Sequence, residues 1–168
     1  MQYKIADNLT DTMAALSALV HNQMDEAQTA LDDFYTRYEN DDLVLNKWFV
    51  VQSCAHSDKA LETVEKLTQH PKFDLKNPNK LRSVVGAFTM NICAFNAPDG
   101  SGYKWFAQKV AEVDKINPSM AAMLFAKMAK YKHFEPSAGE AAKTLLKELL
   151  DGGKLSSISA ETVERMLD

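Results

Sequence analysis

Three observations predict an all-α fold. Apolar residues recur at three- and four-residue spacing along almost the whole chain. Asn8, Asn77 and Asn117 stand where helix caps belong, the last two followed by proline at the first helical position. No segment shows the sustained alternation expected of a strand.

The elements follow in order. Asn8 caps a helix carrying Leu9, Met13, Leu16 and Val20, spaced four, three and four. Ala27, Leu31, Phe34 and Tyr38 repeat that spacing in a second. Asp41 and Asp42 precede a third, with Val44, Trp48, Val51 and Ala55, and favour its positive dipole end. Ser57 or Asp58 caps a fourth through Ala60, Val64 and Leu67, which ends before Pro71 because proline pushes the preceding residue out of the helical region. The fifth starts in NPNKLRSVVGAF, Asn77 to Phe88. There Leu81, Val84, Val85 and Phe88 form an apolar face, opposite Asn79, Arg82, Ser83 and Gly86.

NAPDGSGY, Asn96 to Tyr103, reads as a turn or loop. A sixth helix holds Phe106, Val110 and Val113. A seventh follows Asn117-Pro118 with Met120, Met123, Leu124 and Met128. An eighth begins near Pro136, uses Ala142, Leu145, Leu146 and Leu149, and stops at Gly152-Gly153. Ser159 caps a short ninth with Val163, Met166 and Leu167. Roughly nine helices joined by short connections point to antiparallel neighbours. They suggest an irregular α-solenoid of stacked pairs in the armadillo or HEAT manner, with a compact bundle as the alternative. No linker interrupts the chain, so residues 1–168 read as one domain.

Composition excludes several functions. A net charge of −4 without a long basic run argues against nucleic acid. No apolar stretch approaches the roughly 20 residues needed to cross a bilayer. The opening MQYKIADNLTDTM lacks a signal-peptide core, so the cytoplasm is the expected compartment. Cys54 and Cys93 sit among apolar neighbours and read as buried free thiols.

Chemistry is sparse. His21, His56, His70 and His133 never fall at the His-Glu-x-x-His spacing of a zinc peptidase. Cys54 and His56, two apart, point about 200° away from each other on a helix. No serine lies in a nucleophile elbow. Asp99 to Gly102, DGSG, could form a phosphate nest ahead of a helix, but no strand precedes it and a plain turn is the simpler reading. The methionines and the two tryptophans read as core or inter-helix packing. No catalytic residue and no metal ligand set is expected.

Five segments together carry a resemblance: LTDTMAALSAL (Leu9 to Leu19), LVLNKWFVVQ (Leu43 to Gln52), LETVEKLTQHPKF (Leu61 to Phe73), NPNKLRSVVGAF, and APDGSGY (Ala97 to Tyr103). Their order and spacing resemble the C-terminal helical domain of the bacterial aminopeptidase N family, zinc-dependent alanyl aminopeptidases of the gluzincin class. The resemblance implies a non-catalytic α-solenoid cap, closing over a separate zinc-bearing catalytic domain and bounding a substrate chamber. The implied partners are that catalytic domain and the peptide substrate. Zinc belongs to the parent enzyme and no cofactor to this chain, which is expected to be inactive alone. By resemblance, Arg82 faces the chamber, with Asn79 on the same side, and Met123 stands where family members often carry a second arginine. The alternative is a stand-alone helical-repeat adaptor for a protein partner. MQYKIADN lacks the polar capping helix of a free solenoid, which favours a piece of something larger.

Overall fold

Short-range capping positions most of the helices. In the computed structural model, which describes residues 2–168, Asn8 accepts the Asp11 N–H at 2.9 Å. Asp41 accepts from Leu43 and Val44 at 3.0 and 3.1 Å. Asn117 accepts from Met120 at 3.1 Å. Each bond satisfies one of the amide donors that a helix leaves unpaired at its start.

The chain divides into two compact units. One comprises the residues up to Phe73 together with Arg82–Asn91, and the other Asp74–Leu81 with Ile92–Asp168. The first unit contains α1 (Gln2–Ile5), α2 (Leu9–His21), α3 (Ala27–Tyr38), α4 (Asp42–Ser53), α5 (Ala60–Thr68) and a π-helical segment, Arg82–Gly86. Helices α1 to α5 pack in sequence, each on the next along α1–α2–α3–α4–α5, and α4 and α5 also hold the π segment. Leu16, Phe34, Leu45, Phe49, Val64, Val84 and Phe88 are wholly buried. Trp48 ties α4 to α3 by donating its indole N–H to the Leu31 carbonyl at 3.0 Å. Asn91 donates to the Ala55 carbonyl at 2.6 Å and satisfies a buried amide in the same step.

The second unit contains α6 (Pro78–Leu81), α7 (Ile92–Phe95), α8 (Ser101–Asp114), α9 (Pro118–Phe125), a 3-10 segment (Ala126–His133), α10 (Pro136–Asp151) and α11 (Ser157–Leu167). Helix α9 packs against both α8 and α11, and α10 against both as well. Phe106, Val110, Phe125, Leu146 and Val163 form its centre. Phe95 of α7 meets Tyr103 and Phe106 of α8 edge-on, with ring centroids 5.0 and 5.2 Å apart.

All nine expected helices are present, and the described residues hold eleven α-helices. The additional two, α1 and α7, are single turns of four residues, too short to show a period. Four local readings are corrected. Ser101–Tyr103, expected in a loop, open α8, and the turn is finished by Gly100 at φ +72°. Ser156, not Ser159, caps α11, because Ser159 is buried inside the helix. Neither Ser57 nor Asp58 is the N-cap of α5, a position Lys59 takes without a side-chain bond. Ser83 and Gly86, placed on the polar face by spacing, lie in a continuous buried run from Ser83 to Phe88.

Candidate functional site

The segment from Asn77 to Gly86 departs from regular helix in a way that spacing did not reveal. Asn77 accepts from the Asn79 and Lys80 amides at 2.9 and 3.3 Å, and Pro78 takes the first helical position. One turn later the backbone widens into the π segment, Arg82–Gly86. Such wide turns are rare and recur at functional positions. Thr89 closes its far end by donating to the Gly86 carbonyl at 2.8 Å.

The two candidate binding residues fall on either side of this change. Asn79 lies in α6 and Arg82 opens the π segment, and both are exposed. Arg82 is exposed and is followed by six buried residues, which anchor its backbone. A guanidinium so held can take a carboxylate with two parallel hydrogen bonds. Between the two candidates stands Lys80, only 4% exposed. Sequence reasoning missed it, because lysine is seldom buried and its position in the turn marks it as surface. Met123, on α9, is 52% exposed, whereas Met120 and Met128 are core, so the methionine stripe divides between packing and surface.

The remaining chemistry-bearing groups have local explanations. In DGSG, Asp99 accepts the Ser101 amide at 3.0 Å. That amide is therefore engaged with the protein's own carboxylate, whose pKa its hydrogen bond lowers. Cys93 is exposed and Cys54 half-buried, correcting the expectation of two buried thiols. Cys54 donates to the Val50 carbonyl at 2.9 Å, and burial pushes its thiol pKa up, leaving a poor nucleophile. Its sulfur is 3.9 Å from His21 Nε2, a contact between the end of α2 and the end of α4 that no sequence spacing encodes. His21 also meets His56 edge-on, with centroids 6.3 Å apart. Among the described residues, no group of three or more His, Cys, Asp or Glu side chains is placed to hold a metal. No described helix is long and apolar enough to cross a membrane.

The histidine pair has a measurable consequence. Burial, and then the neighbouring His56, hold the His21 pKa below the ordinary histidine value. The unfolded chain therefore binds that proton more readily than the folded one. Stability from this site is complete above the unfolded value of about 6.5 and is lost as pH falls through the lower folded value. Thermal midpoints measured from about pH 7 down to about pH 5 should fall, and His21→Gln should flatten the slope. An equal slope in the variant would assign the fall to other groups.

These features define a class first: an all-helical protein, with Asn79 exposed in α6 and Arg82 exposed at the start of the π segment. The particular family follows from comparison. Residues 1–168 match the family described as "Domain of unknown function (DUF3458_C) ARM repeats", and the chain belongs to it. It is 33% identical to aminopeptidase N of Escherichia coli K12 over 167 residues, 99% of this chain and 19% of that protein. It is 34% identical to aminopeptidase N of Haemophilus influenzae over 166 residues, again 19% of the relative. Among solved structures, Legionella pneumophila aminopeptidase A in complex with aspartic acid superposes with a TM-score of 0.93 at 35% identity, covering 99% of this chain and 20% of that one. The chain thus spans about a fifth of the length of these relatives, and corresponds to the C-terminal region of aminopeptidase N.

Proposed function

We propose that this chain serves as the non-catalytic C-terminal cap of a zinc aminopeptidase, bounding the chamber in which peptides lose their N-terminal residues. The observation that carries the reading is its likeness, over 99% of its length, to the C-terminal region of aminopeptidase N. In this reading zinc belongs to the catalytic part of the enzyme, outside this chain. Arg82 and Asn79 are the residues of this chain that meet the peptide. An aminopeptidase site holds the substrate's amino end, which leaves the carboxyl side toward a cap. There the Arg82 guanidinium binds the peptide's carboxylate or backbone carbonyls, and Asn79 adds neutral donors and acceptors. The proposed setting is the cytoplasm.

The test is Arg82→Ala in the complete enzyme, assayed on a tripeptide and on a single-residue chromogenic amide. Loss of a charge-assisted hydrogen bond should raise KM for the tripeptide about tenfold or more. The chromogenic amide does not reach the arginine, so its KM should stay within about twofold. Equal effects on both substrates would sink the assignment.

A further inference from the structure

Three side chains able to bind a soft or borderline cation meet in the first unit, where α2 and α4 end. His21 is the last residue of α2, Cys54 is the C-cap of α4, and His56 follows two positions on. The Cys54 sulfur lies 3.9 Å from His21 Nε2, although 33 positions separate them in the chain. A zinc ion bonds a thiolate at about 2.3 Å and an imidazole at about 2.0–2.1 Å. With those bond lengths, the 3.9 Å separation corresponds to an angle of about 125–130° at a shared ion, within about 20° of tetrahedral. The His21 and His56 rings meet edge-on with centroids 6.3 Å apart. Two imidazoles on one tetrahedral zinc have centroids about 5 Å apart, so His56 stands about 1 Å too far away. It is exposed, and no hydrogen bond or ion pair holds its side chain, so a small rotation closes that gap. Two ligands are thus in place and the third is within reach.

The surroundings suit the chemistry. Burial, and then the neighbouring His56, hold the His21 pKa below the ordinary value. The ring is therefore neutral at pH 7, the form that binds a metal. The Cys54 thiol donates to the Val50 carbonyl at 2.9 Å. On binding, its S–H bond breaks, the proton passes to solvent and a sulfur–zinc bond forms. The Val50 carbonyl keeps the Cys54 amide, 3.1 Å away, so no backbone acceptor is left unpaired.

We propose that Cys54, His21 and His56 form a zinc site, with one thiolate, two imidazoles and water in the fourth position. Thiolate and imidazole donors select zinc over magnesium and calcium, which take oxygen. The bound ion ties the end of α2 to the end of α4, and its open position leaves it exchangeable. The inference does not depend on the aminopeptidase reading.

Cobalt is the probe, added to the protein at its natural length with any metal it carries as isolated left in place. A thiolate bound to cobalt gives a charge-transfer band in the near ultraviolet, which imidazole and carboxylate ligands do not. With cobalt in about tenfold excess the parent should show this band, and zinc added afterwards should bleach it. Cys54→Ser should abolish the band and Cys93→Ser should leave it unchanged. His21→Gln and His56→Gln should each weaken cobalt binding about 100-fold or more, at or beyond the upper end of an outer-shell change. His56→Gln, at an exposed position, reads the site if another variant does not fold. The inference is overturned by no band in the parent, by a band that survives Cys54→Ser, zinc or loses its intensity in Cys93→Ser, or by a histidine variant within about threefold of the parent.

Discussion

Replacing Asp114 by alanine should lower the free energy of unfolding by about 3–5 kcal/mol, the largest effect expected of any polar substitution here. Asp114 ends α8 and is 4% exposed. Its carboxylate accepts three hydrogen bonds from α11 and its cap. They are the Ser156 amide at 2.6 Å, the Ser156 hydroxyl at 2.6 Å and the Ser159 hydroxyl at 2.5 Å. Hydrogen bonds to a charged group are worth about 1.5–3 kcal/mol each, and their loss is not additive. Alanine also leaves the wholly buried Ser159 hydroxyl without its acceptor. Asparagine should recover part of the loss, because its carbonyl can keep the Ser156 amide and its NH2 can donate to the two serine hydroxyls, but the charge is gone. Urea denaturation reads the change directly. A loss below about 1 kcal/mol would reduce the cluster to an ordinary surface cap.

The same residue makes a prediction about acid. Burial pushes the Asp114 carboxyl upward, but the hydrogen bonds from Ser156 and Ser159 outweigh it and hold the pKa below the ordinary aspartate value. The unfolded chain therefore binds this proton first. The stabilisation is complete above about pH 3.9, the unfolded value, and disappears as pH falls through the lower folded value. Asp114→Ala should lose stability at neutral pH and show a shallower acid limb than the parent. A parallel acid limb would mean that the carboxylate is not the group titrating.

Gly102→Ala should destabilise by about 3 kcal/mol or more, at the upper end of what one added methyl does in a packed core. A Cβ at this position would overlap the Ala94 carbonyl oxygen and lie 2.6 Å from that of Phe95 and 2.8 Å from Phe95 Cα. All three atoms are backbone, so no side chain can rotate away, and α7 must separate from α8. Separation also opens the ring contacts of Phe95 with Tyr103 and Phe106. Gly153→Ala is the control. There φ is +57° but nothing lies within 4 Å, so only backbone strain of about 1–2 kcal/mol is expected. A Gly102 variant no worse than the Gly153 one would show that the two helices part without cost.

Capping and periodicity were legible in the sequence because both are local. Asn8, Asn77 and Asn117 reach amides two or three residues ahead, and Gly152 with Gly153 ends α10, so each boundary depends on a few neighbours. The apolar faces of α2 to α5 and α8 to α11 follow for the same reason. The resemblance carried by NPNKLRSVVGAF and its companion segments was legible too, because order and spacing are properties of the chain. Tertiary structure alone decided the rest. Lys80 is buried and Arg82 is exposed, though both are basic and two positions apart. The π turn appears where the helix is covered on every side from Ser83 to Phe88, and periodicity assigns such a stretch one buried face only. Ser156 rather than Ser159 caps α11 because Asp114, 42 residues earlier, fixes its hydroxyl and amide. Local patterns set where helices start and stop, because their hydrogen bonds close within one turn. Which polar groups face solvent depends on partners tens of residues away, whose desolvation and pairing no single segment encodes.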